Sequence, residues 1–300
     1  MRCPKCNQHQ PAGDICRHCG LVFAKYALAQ QRAQAARPAL TIITSHAFPY
    51  QFVQQLLLLV LLSGLGFALW SHWNMNQLPP PDFYDQGQLD EPRQTPTDAS
   101  VFQIEAHGIR YTIEPRFDYQ LDGVVVSLHD SDVFWDIYHF GDWQDFINLR
   151  DLCVVWGDNV SSGVFRQMHY SNTTWTCWIS ANHPDAASSF AWNQISNNHL
   201  LTPDPGIREA IKSAEIGDQI RLDGKLAQYS HAGGFQRGTS ITRDDTGNGA
   251  CETIYVEGFR ITRKSHPGWR LMYRIALTIT LATFLGLALI FVVAPVTAPR

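Results

Sequence analysis

Two long apolar runs without any Lys, Arg, Asp or Glu dominate the hydrophobic pattern of this 300-residue chain. The first covers 52–71 and the second covers 275–293. Each is close to the roughly 20 residues with which an α-helix crosses the hydrocarbon core of a bilayer. Aromatic residues of the kind that favour the membrane interface border the first run: Tyr50, Trp70 and Trp73. The pattern predicts transmembrane helices at 48–73 and 275–294, and a buried helix of a soluble protein is the alternative.

Between these runs, apolar and polar residues alternate in short stretches, a pattern typical of strands. Residues 101–106 and 109–113 flank His107-Gly108 and predict a hairpin, and 205–214 predicts a short helix. Further strands are predicted at 119–128, 152–156, 174–179, 217–226 and 251–259. We expect a mainly-β (α+β) middle domain over 101–262, and a small barrel of the oligosaccharide/oligonucleotide-binding type is its candidate architecture.

The remaining segments differ in composition from these elements. An Ala- and Gln-rich stretch predicts a helical spacer at 27–47. Residues 74–100 are rich in Pro and acidic residues and predict a linker that Pro79-Pro-Pro81 holds extended. A basic juxtamembrane segment, 263–274, precedes the second helix, and a short tail, 295–300, follows it.

Charged residues make up 17% of the chain, against roughly 25% in a typical soluble domain, which excludes a disordered chain or a coiled coil. Their distribution is uneven. The net charge is +5 over 1–47 and −15 over 72–259, which holds 11 basic and 26 acidic residues. Residues 260–274 carry +5 again. Because the middle segment is so acidic, it is a poor candidate for binding nucleic acid.

The charges that flank the two helices disagree about orientation. Arg32 and Arg37 precede the first helix and acidic residues follow it, which predicts a cytoplasmic N-terminus. Five basic residues precede the second helix and only Arg300 follows, which alone predicts the reverse. The first helix usually dominates, and large domains translocate largely regardless of charge. We therefore expect a multi-pass protein of the bacterial inner membrane with a periplasmic middle domain; a re-entrant first segment is the alternative.

Four of the seven cysteines fall within the first 19 residues, as Cys3-Pro-Lys-Cys6 and Cys16-Arg-His-Cys19. Each Cys-x-x-Cys places two thiolates on one side of a turn, and two such turns complete a tetrahedral cage for a structural Zn2+. So short a segment cannot bury a core, which favours metal over a redox pair. The motif resembles the short zinc ribbons that open many uncharacterised bacterial membrane proteins. The resemblance covers 1–26 and implies metal binding, not an activity.

Thiolate ligands require a reducing compartment, which agrees with a cytoplasmic ribbon. The expected partners are the lipid bilayer and proteins that bind the ribbon and the middle domain. Zinc ribbons also contact nucleic acids, so that partner stays open at the ribbon alone. The segment Ser63-Gly-Leu-Gly66 permits close helix packing, which leaves a homodimer open.

Three polar groups in the middle domain are candidates for chemistry. The densest suits a divalent metal, although a solvated loop is the preferred interpretation: His129, Asp130, Ser131, Asp132, Asp136, His139 and Asp142. The second offers hydrogen-bonding side chains at a loop: Asn197, Asn198 and His199. The third joins Arg243, Asp244 and Asp245 with Glu252, where a buried ion pair is preferred over acid/base catalysis. No recognised catalytic motif occurs.

The other three cysteines are Cys153, Cys177 and Cys251. In an exported domain one pair can be bridged, and Cys153–Cys251 is the first expectation because each lies in a predicted strand. In the cytoplasm all three are expected to be buried thiols. A nucleophilic cysteine is conceivable, but no histidine is specifically paired with a thiol.

These features predict a non-enzymatic, scaffold or sensor-like membrane protein with a cytoplasmic zinc ribbon and an extracytoplasmic, partner-binding β-rich domain. The competing class is a membrane-anchored hydrolase or nuclease-like enzyme whose site is the polar cluster at 129–142.

Overall fold

The computed structural model describes residues 1–35, 50–133, 136, 138–243, 245 and 251–293. The chain divides into two compact units, Met1–Val53 and Gln54–Arg300. Three predicted features lie wholly or partly outside the described residues: the spacer beyond residue 35, most of the turn at 244–249, and the tail 295–300.

Six helices and ten strands are assigned along the described residues. The helices are α1 (Phe23–Ala35), α2 (Tyr50–Met75), α3 (Asp158–Ser161), α4 (Pro184–Ser189), α5 (Pro205–Ser213) and α6 (Pro267–Val293). The strands are β1 (Arg93–Pro96), β2 (Phe102–Ala106), β3 (Ile109–Asp130), β4 (Asn148–Val155), β5 (Met168–Thr173), β6 (Thr176–Ala181), β7 (Ile195–Leu201), β8 (Gln219–His231), β9 (Gln236–Arg237) and β10 (Glu252–Arg263).

Two similar turns build the N-terminal unit. In each turn a backbone N–H donates to the carbonyl of the cysteine four residues earlier, Asn7 to Cys3 and Gly20 to Cys16. Asn7 (φ 64°) and Gly20 (φ 71°) both adopt the left-handed conformation, which Asn and Gly accept more readily than other residues. Single β-bridges close the two turns, Arg2 to His9 and Ile15 to Val22. The two Cys-x-x-Cys motifs therefore fold as equivalent knuckles.

The helices α2 and α6 are both long and apolar enough to cross a membrane, as predicted. They pack side by side: a Cβ built on Gly64 would lie 2.7 Å from Oγ1 of Thr280. The ring of Trp70 packs edge-on against Trp269, with centroids 4.9 Å apart. Most of their large apolar side chains are exposed. Because water would disfavour such a surface, it suits an apolar solvent. α6 begins at Pro267, so part of the predicted juxtamembrane segment is helical.

Five strands of the second unit close into a ring. β3 pairs with β4, β4 with β7, β7 with β10, β10 with β8, and β8 pairs again with β3. All of these pairs are antiparallel except β7–β10, which is parallel. The 22-residue β3 is long enough to pair with both of its neighbours. In chain order the strands follow one another around the ring as first, second, third, fifth and fourth, with α5 between the third and the fourth.

The inside of the ring holds the main hydrophobic core. Each ring strand contributes at least one fully buried aliphatic side chain: Leu121, Leu152, Leu200, Leu222 and Ile254. Helix α5 adds Ile211, and its first turn is capped by Asp204, whose carboxylate accepts the N–H of Ile207 at 2.8 Å. The predicted helix at 205–214 is confirmed. The predicted hairpin is confirmed as well, since β2 and β3 pair from Ala106↔Ile109 outward.

A second layer covers the outer face of β3 and β4. It consists of the β5–β6 hairpin, α3, α4 and parts of 78–89, packed on outward-facing residues such as Val124, Cys153 and Val155. The outer face of β4 and β7 lies at the edge of this layer.

The segment 74–100 does not form the extended linker that its composition predicts. Tyr84 and Leu89 are buried in the outer layer, and the Tyr84 hydroxyl donates to the carbonyl of Gly217 at 3.2 Å. Strand β1 adds to the edge of β3. The few apolar residues spaced among the prolines and acids are sufficient to fix the segment on the domain. The chain between α2 and the ring is therefore structured.

Candidate functional site

The four N-terminal thiols converge on one point, as predicted. The Sγ atoms of Cys3 and Cys19 lie 3.6 Å apart, and those of Cys6 and Cys16 lie 3.7 Å apart. All four sulfurs lie within 4.8 Å of one another. A tetrahedral site with Zn–S bonds of about 2.3 Å has edges of about 3.8 Å, so this spacing fits a metal site with four cysteine ligands. Among the described residues, no other group of three or more His, Cys, Asp or Glu could hold a metal ion.

The first and last of these thiols differ in acidity. The backbone of Leu21 lowers the pKa of Cys19, but burial and the neighbouring thiols outweigh it and raise the pKa to about 12, so Cys3 is the thiol prepared for deprotonation. Burial raises the pKa of the Cys3 thiol, but hydrogen bonds from the backbone of Cys6 and Lys5 and from neighbouring thiols outweigh it and lower the pKa to about 6. Metal binding needs thiolates, so the knuckle backbone favours the ligand form at Cys3.

The predicted cluster at 129–142 does not form a single metal site. Asp130 pairs with Arg150 at 2.7 Å and with Lys212 at 3.0 Å, and Asp132 pairs with Arg208 at 2.8 Å. Arg150 also donates to the last carbonyls of α5, at Ile211, Lys212 and Ala214. These acids therefore serve to fix α5 against β4. Asp142 is exposed, and the aromatic Trp135 lies outside the described residues.

The rest of that cluster forms a chain of polar contacts beneath the loop between β3 and β4. Asp136 lies 3.3 Å from Nε2 of His129 and 3.1 Å from Nδ1 of His139. The other ring nitrogen of His139 faces Asp145 at 3.8 Å, and Tyr229 donates to Asp145 at 2.6 Å. Burial raises the pKa of Asp145. Asn148 lies 3.4 Å from His139 and donates to Asp151 at 3.3 Å. These polar contacts therefore continue to the outer face of β4.

Alternate residues of the paired strands β4 and β7 place polar side chains on their outer face. Successive side chains of a strand point to opposite faces, so Asp151 and Cys153 share one face of β4, and Asn197 and His199 share one face of β7. The register places Asp151 opposite His199 and Cys153 opposite Asn197. Leu152 and Leu200 point the other way, into the core.

Asp151 and His199 form a fully buried pair, with Nδ1 of His199 2.6 Å from Oδ1 of Asp151. Burial raises the pKa of Asp151, but His199 and Arg237 outweigh it, so the pKa is lowered. Burial lowers the pKa of His199 more than Asp151 raises it. Arg237 lies 2.6 Å from Nε2 of His199 and can only donate, so Nε2 is the acceptor and the imidazole proton lies on Nδ1, facing Asp151.

Arg237, at the end of β9, donates to the acceptor nitrogen of this imidazole. Its Nη2 donates to Nε2 of His199 at 2.6 Å, and its guanidinium carbon lies 3.6 Å from the centroid of the Trp175 ring. Among the described residues, no carboxylate forms an ion pair with Arg237. Because Nε2 is occupied in this way, His199 is poorly placed to act as a general base.

Trp175 lies at the tip of the β5–β6 hairpin in a left-handed conformation, with φ 70°. This backbone region costs a bulky residue about 1–3 kcal/mol and persists only when the surroundings fix it. Two contacts do so here. The N–H of Trp175 donates to Asp151 at 3.3 Å, and its carbonyl accepts from Asn197 at 3.0 Å. The strained tip holds the indole over Arg237.

A disulfide bond joins Cys153 to Cys177, so the expected Cys153–Cys251 bridge is wrong. β4 and β10 are separated by β7, whereas the hairpin folds directly onto β4 and brings Cys177 to a Cα distance of 5.9 Å from Cys153. Cys251 keeps a free thiol near the carbonyl of Trp175 and the side-chain amide of Asn197. Burial raises the pKa of this thiol.

The second predicted polar group lies within strand β7 and not at the expected loop: Asn197, Asn198 and His199. Asn198 is fully buried and donates to the carbonyl of Leu152, a structural role. Arg243 and Glu252 form the expected ion pair, with Nη1 2.5 Å from Oε1. Asp245 instead accepts from Ser240 at 2.6 Å, and Asp244 lies outside the described residues.

Sequence reasoning missed Asp151, Trp175 and Arg237 as site residues. They lie on β4, a hairpin tip and β9, and no local spacing joins them. The one local signal is Trp175 within Thr173-Thr-Trp-Thr176, a large aromatic residue at a turn. No protein-family model, no curated protein and no solved structure matches this chain.

Proposed function

We propose that this chain is a bacterial inner-membrane protein that connects a cytoplasmic zinc ribbon to a periplasmic binding domain, in a scaffold or sensor-like role. One observation carries the proposal: the same chain holds four clustered free thiols and, in the other unit, a disulfide bond. Thiolate metal sites are kept in reducing compartments and structural disulfides form in oxidising ones. A membrane between residue 35 and the ring of strands accounts for both.

Five basic residues at 260–274 oppose this orientation, and two of them form ion pairs within the domain. Lys264 pairs with Asp218 at 2.8 Å, and Arg270 pairs with Glu215 at 2.7 Å. These charges are engaged by the acidic domain itself. The segment between α2 and α6 is far longer than the roughly 60 residues over which flanking charges set orientation, and large domains translocate largely regardless of charge, which supports giving the first helix more weight.

The architecture favours binding. The five-stranded ring resembles the five-stranded barrels of the oligosaccharide/oligonucleotide-binding type, which supports that architecture for the middle domain. In those barrels the outer face of the second and third strands, with the adjoining loops, takes the ligand. Here these are β4 and β7, which carry Asp151 and His199 beneath Trp175 and Arg237. Fold alone does not assign a function, so these side chains support the proposal.

The barrel is joined firmly to both helices, which suits a sensor. The Arg270 side chain is 5% exposed and donates to the carbonyls of Ile216 and Ser265. His266 contacts the carbonyl of Gln77, just beyond the end of α2, at 2.9 Å. A change in the barrel would therefore reach α6 through the buried contacts of Arg270 and α2 through the exposed contact of His266 with Gln77.

The topology is tested with two single-cysteine additions at exposed positions, Gln31→Cys on α1 and Ser100→Cys beside β2. Intact cells are treated with a membrane-impermeant maleimide, and the labelled peptides are read by mass spectrometry. We expect labelling at position 100 in intact cells and at position 31 only after permeabilisation. The opposite pattern would overturn the proposal.

Metal analysis of the purified full chain tests the ribbon. We expect one Zn2+ per chain, lost in Cys6→Ser and retained in Cys251→Ser, its matched control. A second tightly bound divalent ion that is lost in Asp136→Asn would favour the competing hydrolase.

A further inference from the structure

Resting on the proposed binding role of the barrel, we infer that Arg237 anchors a carboxylate group of the ligand, with the rings of Trp175 and Phe235 as the apolar contact beside it.

The first support is that Arg237 has N–H donors without an acceptor among the described residues. A guanidinium has five N–H donors in a planar fork, and one of them, on Nη2, has an acceptor among the described residues, Nε2 of His199. That contact and the face of Trp175 fix the orientation of the fork. Arg237 and Trp175 are both partly exposed. Burying donors without acceptors is costly, so a fixed and partly buried fork favours a ligand with a planar pair of oxygens.

The second support is the strained hairpin tip. Trp175 keeps a positive φ because Asp151 and Asn197 hold its backbone, and the disulfide at Cys177 fixes the same hairpin to β4. Phe235 lies nearly parallel to Trp175, at an interplanar angle of 29° and a centroid distance of 6.4 Å. Arg237 covers the Trp175 ring on one side, and His139 stacks on the ring with centroids 4.7 Å apart. The edge of the indole and the ring of Phe235 therefore form the rigid aromatic surface next to the cation. Strain of this kind gathers at ligand clamps.

The acidic surroundings of Arg237 favour an anion with a single negative charge. Asp151 and Asp145 lie buried behind the guanidinium, and residues 72–259 carry a net charge of −15. A dianionic phosphate or a polyphosphate chain would meet more repulsion here than a single negative charge. A monoanionic carboxylate matches the fork and meets less of that repulsion than a dianion does. We therefore assign a carboxylate-bearing ligand with an adjoining ring or other apolar surface.

The probes are benzoate, its neutral isostere benzamide, and phenyl phosphate. Binding to the purified full chain in detergent is followed by tryptophan fluorescence and by calorimetry at constant ionic strength. We expect saturable binding of benzoate and at least tenfold weaker binding of benzamide and of phenyl phosphate. Equal responses to benzoate and benzamide would overturn the carboxylate assignment, and preferred binding of phenyl phosphate would replace it with a phosphate site.

Variants locate the binding. Arg237→Gln is expected to weaken benzoate binding at least tenfold, and Arg237→Lys, which keeps the charge without the fork, by a smaller factor. The control is Arg110→Gln, an exposed arginine on β3, which should bind as the parent does. If Arg237→Gln fails to fold, Arg237→Lys decides: binding of benzoate equal to that of the parent would overturn the inference. The labelling experiment at positions 31 and 100 is independent, so failure of the ligand class and failure of the topology are distinguishable.

Discussion

Cys153 and Cys177 are joined by a disulfide bond that ties the middle of β4 to the second strand of the hairpin carrying Trp175. Two residues before Cys153 lies Asp151, which accepts the backbone N–H of Trp175. The covalent bond and the hydrogen bond hold the same hairpin on the same strand face. The position of the indole over Arg237 therefore depends on a bond that forms only in an oxidising environment.

Loss of this disulfide should weaken both the fold and the site. The bond closes a loop with a sequence separation of 24, for which chain entropy predicts a stabilisation of about 3 kcal/mol. Cys177→Ser should lower the melting temperature by several degrees and weaken benzoate binding. Cys251→Ser, which removes a free thiol, is the control and should melt close to the parent. Equal melting temperatures for the two variants, measured without reductant, would contradict this role.

The buried carboxyl of Glu252 predicts a dependence of stability on pH. Burial raises the pKa of Glu252 to about 8, although Arg243 lowers it. In the unfolded chain this carboxyl ionises near its ordinary value of about 4.3. Between these values the folded state holds a proton that the unfolded state releases, so the contribution of Glu252 to stability falls as pH rises, by up to about 1.4 kcal/mol per pH unit.

Glu252→Gln removes this titration. The melting temperature of the variant relative to the parent should therefore increase from pH 5 to pH 8, whatever the absolute cost of the substitution. Thermal melts at four pH values in one buffer series measure the difference. A difference that stays constant across the series, or that changes in the opposite sense, would show that Glu252 stays ionised beside Arg243.

Gly64 and Gly66 of α2 differ in their contact with α6. A Cβ on Gly64 would lie 2.7 Å from Oγ1 of Thr280, whereas a Cβ on Gly66 would have nothing within 4 Å. Gly64→Leu should force the helices apart and destabilise the protein by about 1–3 kcal/mol, since overpacking has that cost. Gly66→Leu should be close to neutral within the chain. Thermal stability in detergent compares them. A larger loss for Gly66→Leu would point to a contact of that face with a second chain.

Arg270 and Arg274 both lie on α6 but differ in burial. Arg270 is buried in a network with Glu215, Asp218 and Ser265, and Arg274, one turn later in α6, is exposed. Removing one member of a buried charge network costs about 3–5 kcal/mol. Arg270→Gln should therefore lower the melting temperature strongly and speed hydrogen exchange around Ser265. Arg274→Gln should do neither, and similar exchange in both variants would show that α6 is not anchored here.

Some of the candidate site could be read from local sequence. The Cys-x-x-Cys pairs bring their ligands together because each turn is closed by hydrogen bonds between near neighbours, Asn7 to Cys3 and Gly20 to Cys16. His199 stands out in the sequence as part of a polar run, but its partners do not. They lie on other elements, Asp151 on β4 and Arg237 on β9, at sequence separations of 48 and 38. No periodicity within one element records such distances.

Local sequence patterns were sufficient to predict the two apolar helices, the two cysteine knuckles, the hairpin at 102–113 and the helix α5. Each depends on residues a few positions apart, through hydrophobic period, turn chemistry or capping. The folded chain was needed to identify the disulfide partner of Cys153, the burial of Tyr84 and Leu89, and the contact between Arg237 and Trp175. These follow from the closure of five strands into a ring and from the fold of the hairpin over it. Strand pairing brings together residues far apart in the chain, and local pattern fixes neither the partner nor the register.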